Sequence, residues 1–409
     1  QALQQLVDDF NARNSYGITV QVAYQGNYNA LDDKIQAALA SPASFKSSTR
    51  ALPDVTLGSI SQILTWQQAG GDIVDLNTYV EDPAWGYSPA EQADFYPVFW
   101  KQAVVKGVRL GLPAQQTAEV MVYNQTWASA LGFSAPPKTP VEFQKQACAA
   151  TQANNSDAEA DNDNTGGWIV STTPETIYTW LAAFGSQVVT PGGMGYQFNT
   201  PASRAAVEYL KRLHDSNCTW QVGGETATGG YGAGEYFEAG FATRRALFAT
   251  SPLGNLPYLA DALQRAANHD RWGVFAFPSL QGRPIITVYG PSFCMFSDSP
   301  EVQLASWIFM KWLSLPANQA KLVAASGTYP LRAATLDFLD DYAAGHPQWA
   351  AAVKLLPDAL NEPALRSWDT VRWAVGDLGS QIFRYYFTTD RIPASLDLLD
   401  ETARELSNR

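Results

Sequence analysis

The sequence predicts an α/β protein, and three observations carry the prediction. Apolar residues recur at helical spacing, short apolar runs with strand character fall between them, and helix starts repeat one capping chemistry. Leu3, Leu6, Val7 and Phe10 stand at i, i+3, i+4 and i+7, one face of an amphipathic helix. Ile18, Val20 and Val22 then alternate as a half-buried strand does. Leu31, Ile35, Ala38 and Leu39 give a second helix and residues 55–57 a second strand. Ile60, Ile63 and Leu64 give a third helix that stops at Gly70-Gly71. Such alternation builds a parallel sheet with helices on its faces. Thr139-Pro140, Thr173-Pro174, Thr200-Pro201 and Ser299-Pro300 each place a hydroxyl at the N-cap and proline at the first helical position. Thr139 with Glu142 completes a capping box. A polar loop at 154–167 and a glycine-rich loop at 223–234 read as surface, and no internal repeat of fixed period is present.

The chain has 409 residues, enough for two or three domains at roughly 150 residues each. Its 46% hydrophobic content supplies their cores. Charged residues make up only 16%, while 13 Trp, 18 Tyr and 19 Phe are present, so much of the polar surface is neutral amide and hydroxyl. A net charge of −12 repels a phosphate backbone and an anionic lipid leaflet, which argues against nucleic-acid and membrane-surface partners. The most apolar stretch, 307–315, contains Lys311 and ends before Pro316, too short to span a bilayer. Gln1 opens directly onto a helical pattern, so an export signal, if the protein is exported, is already removed. Of three cysteines, Cys148 and Cys218 lie near the ends of helical patterns and Cys294 sits in an apolar run that reads as buried strand. Either Cys148 and Cys218 form one disulfide or all three are buried thiols.

Several chemistries lack their residues. His214, His269 and His346 are the only histidines, and none stands in H-E-x-x-H or a Cys/His spacing, so no metal site and no histidine-based catalysis is expected. There is no G-x-S-x-G, and the glycines between 229 and 234 fail G-x-G-x-x-G because Glu235 follows and no strand precedes them. Nucleotide cofactors are not expected. Asp157, Glu159, Asp161 and Asp163 imitate the start of a calcium loop, but Asn162 stands where that loop needs glycine and Trp168 where it needs glutamate. Asp72 with Asp75, or Glu235 with Glu238, are the carboxylate pairs a glycosidase would use, against the plainer reading of turn and helix-cap acids. What remains is aromatic and neutral hydrogen-bonding equipment, suited to hydroxyl-rich molecules: an aromatic face covers the C–H side of a sugar while amides and hydroxyls meet its OH groups.

Read in order, several segments resemble the family 1 extracellular solute-binding proteins of ABC importers. Leu52-Pro53-Asp54-Val55 leads through Gly70-Gly71-Asp72-Ile73-Val74-Asp75-Leu76 to Tyr79-Val80-Glu81-Asp82, similar to the family's strand, helix and "G-x-(I/L)-x-(D/P)-L" stretch. Gly107-Val108-Arg109-Leu110-Gly111-Leu112-Pro113, Val122-Tyr123-Asn124 and the helix start at 137–143 resemble "G-x-x-Y-G-L-P … Y-N … P-x-T-W-x-E". Residues 237–247 resemble "F-x-x-G-x-A-A-M", and residues 305–315 followed by Ser326-Gly327-Thr328-Tyr329-Pro330-Leu331-Arg332 resemble the family's late signature. Within the family, Tyr24-Gln25-Gly26-Asn27-Tyr28 looks most like members that bind glycerol 3-phosphate or glycerophosphodiesters, and Arg372 falls where those members keep a phosphate-binding arginine. Two positions depart from them: Thr56-Leu57-Gly58 lacks their glutamate, and Thr328 replaces a tyrosine. The family also begins with a strand before its first helix, whereas the helical pattern here opens at once.

The resemblance implies a two-lobed periplasmic-binding-protein fold (type II, Venus flytrap) with a multi-segment hinge. Lobe one is expected at 1–112 plus 286–328 and lobe two at 113–285 plus 329–409, with Pro113 and Gly290-Pro291 at crossings. It further implies a monomeric, extracytoplasmic receptor, periplasmic or lipid-anchored at the cell surface, that captures a carbohydrate between its lobes and passes it unaltered to the permease. The alternative solute is a polyol phosphate. A ligand that moves such a receptor from 1:99 to 99:1 closed needs about 5.5 kcal/mol of differential affinity. The ligand-binding residues implied are Tyr28, Ser59, Gln116, Trp168, Ser251, Gly290, Thr328, Tyr329 and Arg372. Trp168 is expected to stack on a sugar, Gln116 to offer donor and acceptor, and Arg372 to clamp a phosphate if there is one. No cofactor and no metal is implied.

Overall fold

The computed structural model describes residues 2–40, 52–221 and 234–408. The glycine-rich loop expected at 223–234 lies outside the described residues, apart from Gly234, which opens helix Gly234–Ala242. The chain divides into two compact units: Gln1–Thr117, Tyr289–Gly345 and Ala364–Arg366 form the first, and Ala118–Val288, His346–Pro363 and Ser367–Arg409 the second. Among the described residues no helix is long and apolar enough to cross a membrane.

The first unit carries a three-stranded antiparallel sheet, with Ser292–Met295 between Val55–Gly58 and Leu112–Pro113. This corrects the expected parallel arrangement for this unit. Ile35, Ile60, Ile63 and Trp66, from helices Tyr28–Ala40 and Ile60–Gln68, share one core with Cys294 and Phe296. A second core joins Leu6, Val7 and Phe10 of helix Ala2–Arg13 to Phe309 and Leu313 of helix Pro300–Leu313 and Leu322 of helix Pro316–Ser326. The strand expected at Ile18–Val22 does not form. The preceding helix satisfies that backbone instead: Asn11 accepts from the Val20 N–H at 2.7 Å and donates to its carbonyl at 2.8 Å, and Asn14 does the same for Ile18 at 3.0 and 2.8 Å. Backbone groups met by amide side chains need no ladder partner.

The boundaries also shift. Residues 329–345, expected in the second lobe, stay with the first unit. The Tyr96 N–H donates to the Leu331 carbonyl at 3.0 Å, and Arg332 is paired with Asp94 at 2.7 Å while Asp94 also accepts the Ala334 N–H at 2.9 Å. A buried arginine held this way fixes its segment, because leaving either charge unpaired is costly.

The second unit is built on a mixed seven-stranded sheet in the order Ala359–Asn361, Ile286–Tyr289, Thr117–Asn124, Ala246–Pro252, Gly166–Ile169, Thr219–Trp220, with Trp272–Phe275 also paired to Thr117–Asn124. Gly166–Ile169 is parallel to both neighbours and Ala359–Asn361 is parallel to Ile286–Tyr289, whereas Thr117–Asn124 pairs antiparallel with Ala246–Pro252 and Trp272–Phe275. Helices Pro140–Asn154, Pro174–Ala183 and Pro201–Asp215 begin at the three predicted threonine caps, and Pro300–Leu313 in the first unit begins at Ser299. The capping box of Thr139 and Glu142 is present. Cys148, on the helix behind the sheet, is bonded to Cys218 just before Thr219–Trp220, and Cys294 is a buried thiol. Gly167 permits that close packing, since a Cβ there would lie 2.0 Å from the Cys218 carbonyl oxygen.

Candidate functional site

In the first unit, the segment after Leu112–Pro113 gathers several predicted residues. Gln116 is fully buried; its side-chain amide donates to the Pro291 carbonyl at 2.9 Å and its own carbonyl accepts the Tyr329 N–H at 2.8 Å. Gly290 adopts φ +145°, and a Cβ there would lie 2.1 Å from the Gln115 carbonyl oxygen, so only glycine fits this approach. Gln116, Gly290 and Tyr329 are thus brought together. Tyr329 itself is buried against Phe99, and Thr328 shares a hydrogen bond with Ser326 at 2.7 Å. The Gln116 oxygen Oε1, like Oε1 of Gln102 and Oγ1 of Thr117, is buried and meets no hydrogen-bond donor among the described residues. Tyr28 is half exposed at the start of its helix. Ser59 is occupied as the N-cap of Ile60–Gln68 in a capping box with Gln62, the helix-cap role its position also allowed.

In the second unit, the loop that leaves the carboxyl end of Gly166–Ile169 is a run of hydroxyls. Such ends of parallel strands are where α/β sheets present ligand groups. Ser171, Thr173 and Thr176 link Oγ to Oγ at 2.9–3.3 Å, and Ser380 donates to Thr172 at 3.1 Å. Glu175, in the first turn of Pro174–Ala183, is 1% exposed and paired at 2.9 Å with Nη1 of Arg372 on helix Trp368–Ile382. Glu362 follows strand Ala359–Asn361; the residue is partly exposed, but its Oε1 is buried and meets no donor. Burial pushes the Glu362 carboxyl up to about 7; Glu175 and Asp369 add to the rise, and Arg372 and the Trp368 indole oppose it. Burial, with the nearby Glu362 charge, also raises the Tyr178 hydroxyl, whose ring meets Trp368 edge-on at 5.3 Å. Trp373, the next residue on the helix, is 46% exposed and carries the Arg372 guanidinium 5.1 Å from its ring centre.

One predicted residue is placed differently from the expectation. Trp168 is not a surface platform: it is fully buried, with Phe143, Trp180 and Phe383 set edge-on around it at 5.7–6.2 Å. Its strand lies between two others with helices over it, so its side chain fills core. Ser251 is on strand Ala246–Pro252, nearly buried, and donates to the Pro252 carbonyl at 3.1 Å. Arg372, expected as a phosphate clamp, is instead ion-paired with the buried Glu175. Sequence reasoning missed Glu175, Glu362 and Trp373. Glu175 reads as an ordinary acid in a first helical turn. The signal for Glu362 was Asn361-Glu362-Pro363, a carboxylate held just before a proline at a strand end, and Trp373 was adjacent to an arginine already singled out.

Comparison with known proteins agrees with this architecture. A crystal structure of the cyclic α-maltosyl-1,6-maltose binding protein of Arthrobacter globiformis superposes over 100% of this chain and 96% of its own, with TM-score 0.77 and 18% identity. The sugar-binding protein MalE of Xanthomonas citri gives 0.81 over 99% and 94%, also at 18% identity. UgpB of Mycobacterium tuberculosis, solved with glycerophosphocholine, gives 0.73 over 100% and 95% at 15% identity. A binding protein of Brucella abortus (strain 2308) is 23% identical over 300 residues, covering 71% of this chain and 67% of that protein. The fold is the two-lobed α/β fold of these binding proteins. Because the profile of bacterial extracellular solute-binding proteins matches residues 5–357, the chain belongs to that family.

Proposed function

We propose that this protein is the extracytoplasmic receptor of an ABC importer and that its solute is a carbohydrate, mono- or oligosaccharide, delivered chemically unaltered to the permease. The observation that carries the reading is Trp373, an indole 46% exposed and backed by Arg372, on the helix whose Ser380 donates to Thr172 of the hydroxyl-rich strand end in the second unit. An exposed indole covers the C–H face of a pyranose, and hydroxyl and amide groups complete a polyol's hydrogen bonds. Gln116, with a buried amide oxygen lacking a donor, is assigned as an acceptor for a ligand hydroxyl in the first unit. Tyr28, Ser251, Gly290 and Thr328 are kept as further contacts. Trp373 replaces Trp168 as the stacking residue. Membership of a binding-protein family and the sugar-binding structural neighbours support this reading. A second reading, a glycerophosphodiester, is favoured by the neighbour solved with glycerophosphocholine.

A thermal-shift screen of sugars, polyols and glycerol phosphates tests it. A ligand at 100 times its dissociation constant adds about 2.7 kcal/mol of stability, an upward shift of the melt that is easily read. Trp373→Ala is expected to weaken the sugar that scores by about tenfold without lowering the melting temperature of the free protein. A screen in which no sugar or polyol shifts the melt would defeat the carbohydrate reading.

A further inference from the structure

We propose that Glu175 and Glu362 set the charge selectivity of the Arg372 site, cancelling its guanidinium as an anion clamp so that the site accepts an uncharged hydroxyl-rich group and rejects phosphate. The inference deepens the carbohydrate reading and rests on the same site being a solute contact.

A guanidinium clamps phosphate by presenting two parallel N–H groups to two oxygens, with its charge uncompensated. Arg372 fails the second condition. Its Nη1 is held by Glu175 at 2.9 Å, and Glu175 is 1% exposed, so this pair is shielded from solvent screening. The Glu362 carboxyl is close enough to feel the charges of Arg372, Glu175 and Asp369. Glu175 therefore compensates the guanidinium directly, and Glu362, when ionised, adds a negative charge that an incoming phosphate meets. Hydrogen-bond inventory points the same way. Oε1 of Glu362 is buried and lacks a donor. Above about pH 7, where Glu362 is ionised, a sugar hydroxyl donates to that oxygen, whereas the fully ionised phosphate group of a phosphomonoester carries acceptors only and leaves it unmet.

The test titrates inorganic phosphate and glycerol 3-phosphate, at low salt, into wild-type protein, Glu362→Gln, Glu175→Gln and Glu362→Gln combined with Arg372→Gln. Tryptophan fluorescence and melting temperature report binding, and a maltodextrin series is run beside them. Wild-type protein is expected to show no saturable response to either anion up to about 10 mM, whereas Glu362→Gln gains anion affinity at least about tenfold and loses it again with Arg372→Gln. Glu362→Gln is isosteric at a partly exposed position, so the test stands on it even where Glu175→Gln, at a buried ion pair, fails to fold. Saturable binding of glycerol 3-phosphate to wild-type protein that disappears in Arg372→Gln would overturn the proposal. So would folded Glu362→Gln protein that gains nothing. If no sugar or polyol of the thermal-shift screen binds while Glu362→Gln gains phosphate, the carbohydrate reading falls and the charge selectivity stands; the converse pattern separates them the other way.

Discussion

Glu362 makes the protein's stability depend on pH in an unusual direction. Its carboxyl is pushed from an ordinary 4.5 up to about 7 in the folded state, chiefly by burial. The groups that face it are Arg372, Asp369 and Trp368 on one helix and Glu175 and Tyr178 on another. A raised acid holds its proton more tightly when folded, so its stabilising contribution is full below about 4.5 and is lost as pH climbs through 7. At 1.36 kcal/mol per unit the whole effect is at most about 3 kcal/mol. Glu362→Gln should therefore melt with the wild type near pH 4.5 and above it at pH 8; parallel melting curves across that range would contradict the shift. Trp168 has a different kind of consequence. As a fully buried indole ringed by three aromatic side chains, its truncation leaves a cavity, and Trp168→Ala is expected to cost about 3–5 kcal/mol in denaturant titrations. A Trp168→Ala protein of unchanged stability but lost sugar binding would restore the stacking role that the sequence suggested.

The disulfide ties helix Pro140–Asn154 to the edge strand Thr219–Trp220 across a separation of 70 residues. Closing a loop of that size removes unfolded-state entropy worth about 4 kcal/mol, so Cys148→Ser with Cys218→Ser should lower the unfolding free energy by about that amount. A double variant as stable as its parent would mean that the bond contributes nothing beyond packing. Elements such as these were largely legible in the sequence where the cause is local. The threonine–proline caps at 139, 173 and 200 and the amphipathic face of Leu6, Val7 and Phe10 depend on residues a few positions apart, and the structure has them. The strand expected at Ile18–Val22 was not, because its backbone is claimed by Asn11 and Asn14 from the helix before it, a choice that alternation alone does not reveal. Trp168 and Trp373 show the same limit for the candidate site. Both are tryptophans near glycine or arginine, and burial decides between core and platform. The Glu175–Arg372–Glu362 cluster joins residues nearly 200 positions apart, and no local pattern announces it.

Taken over the whole chain, the cluster raises a chemical question that the family alone does not answer. A carboxyl raised to about 7 beside a second, ion-paired carboxylate is the combination from which glycosidases make an acid and a nucleophile. Its surroundings here argue for binding. Glu175 is bound by Arg372 and only 1% exposed, which withdraws it as a nucleophile, and the Glu362 oxygen lies buried beside Trp368. The Asp72–Asp75 pair is no better placed. Asp75 accepts the backbone N–H groups of Asn77 and Arg109 at 3.0 and 3.1 Å, the work of a turn acid, and the side chain of Glu235 lies outside the described residues. Importer receptors gain nothing from cleaving their cargo, because the permease must receive the solute that was captured. Whichever oligosaccharide shifts the melt should thus be recovered intact by chromatography after prolonged incubation at pH 5 and at pH 7, with Glu362→Gln behaving alike. Release of reducing ends that rises toward low pH and vanishes in Glu362→Gln would reassign the cluster from holding a hydroxyl to protonating a glycosidic oxygen.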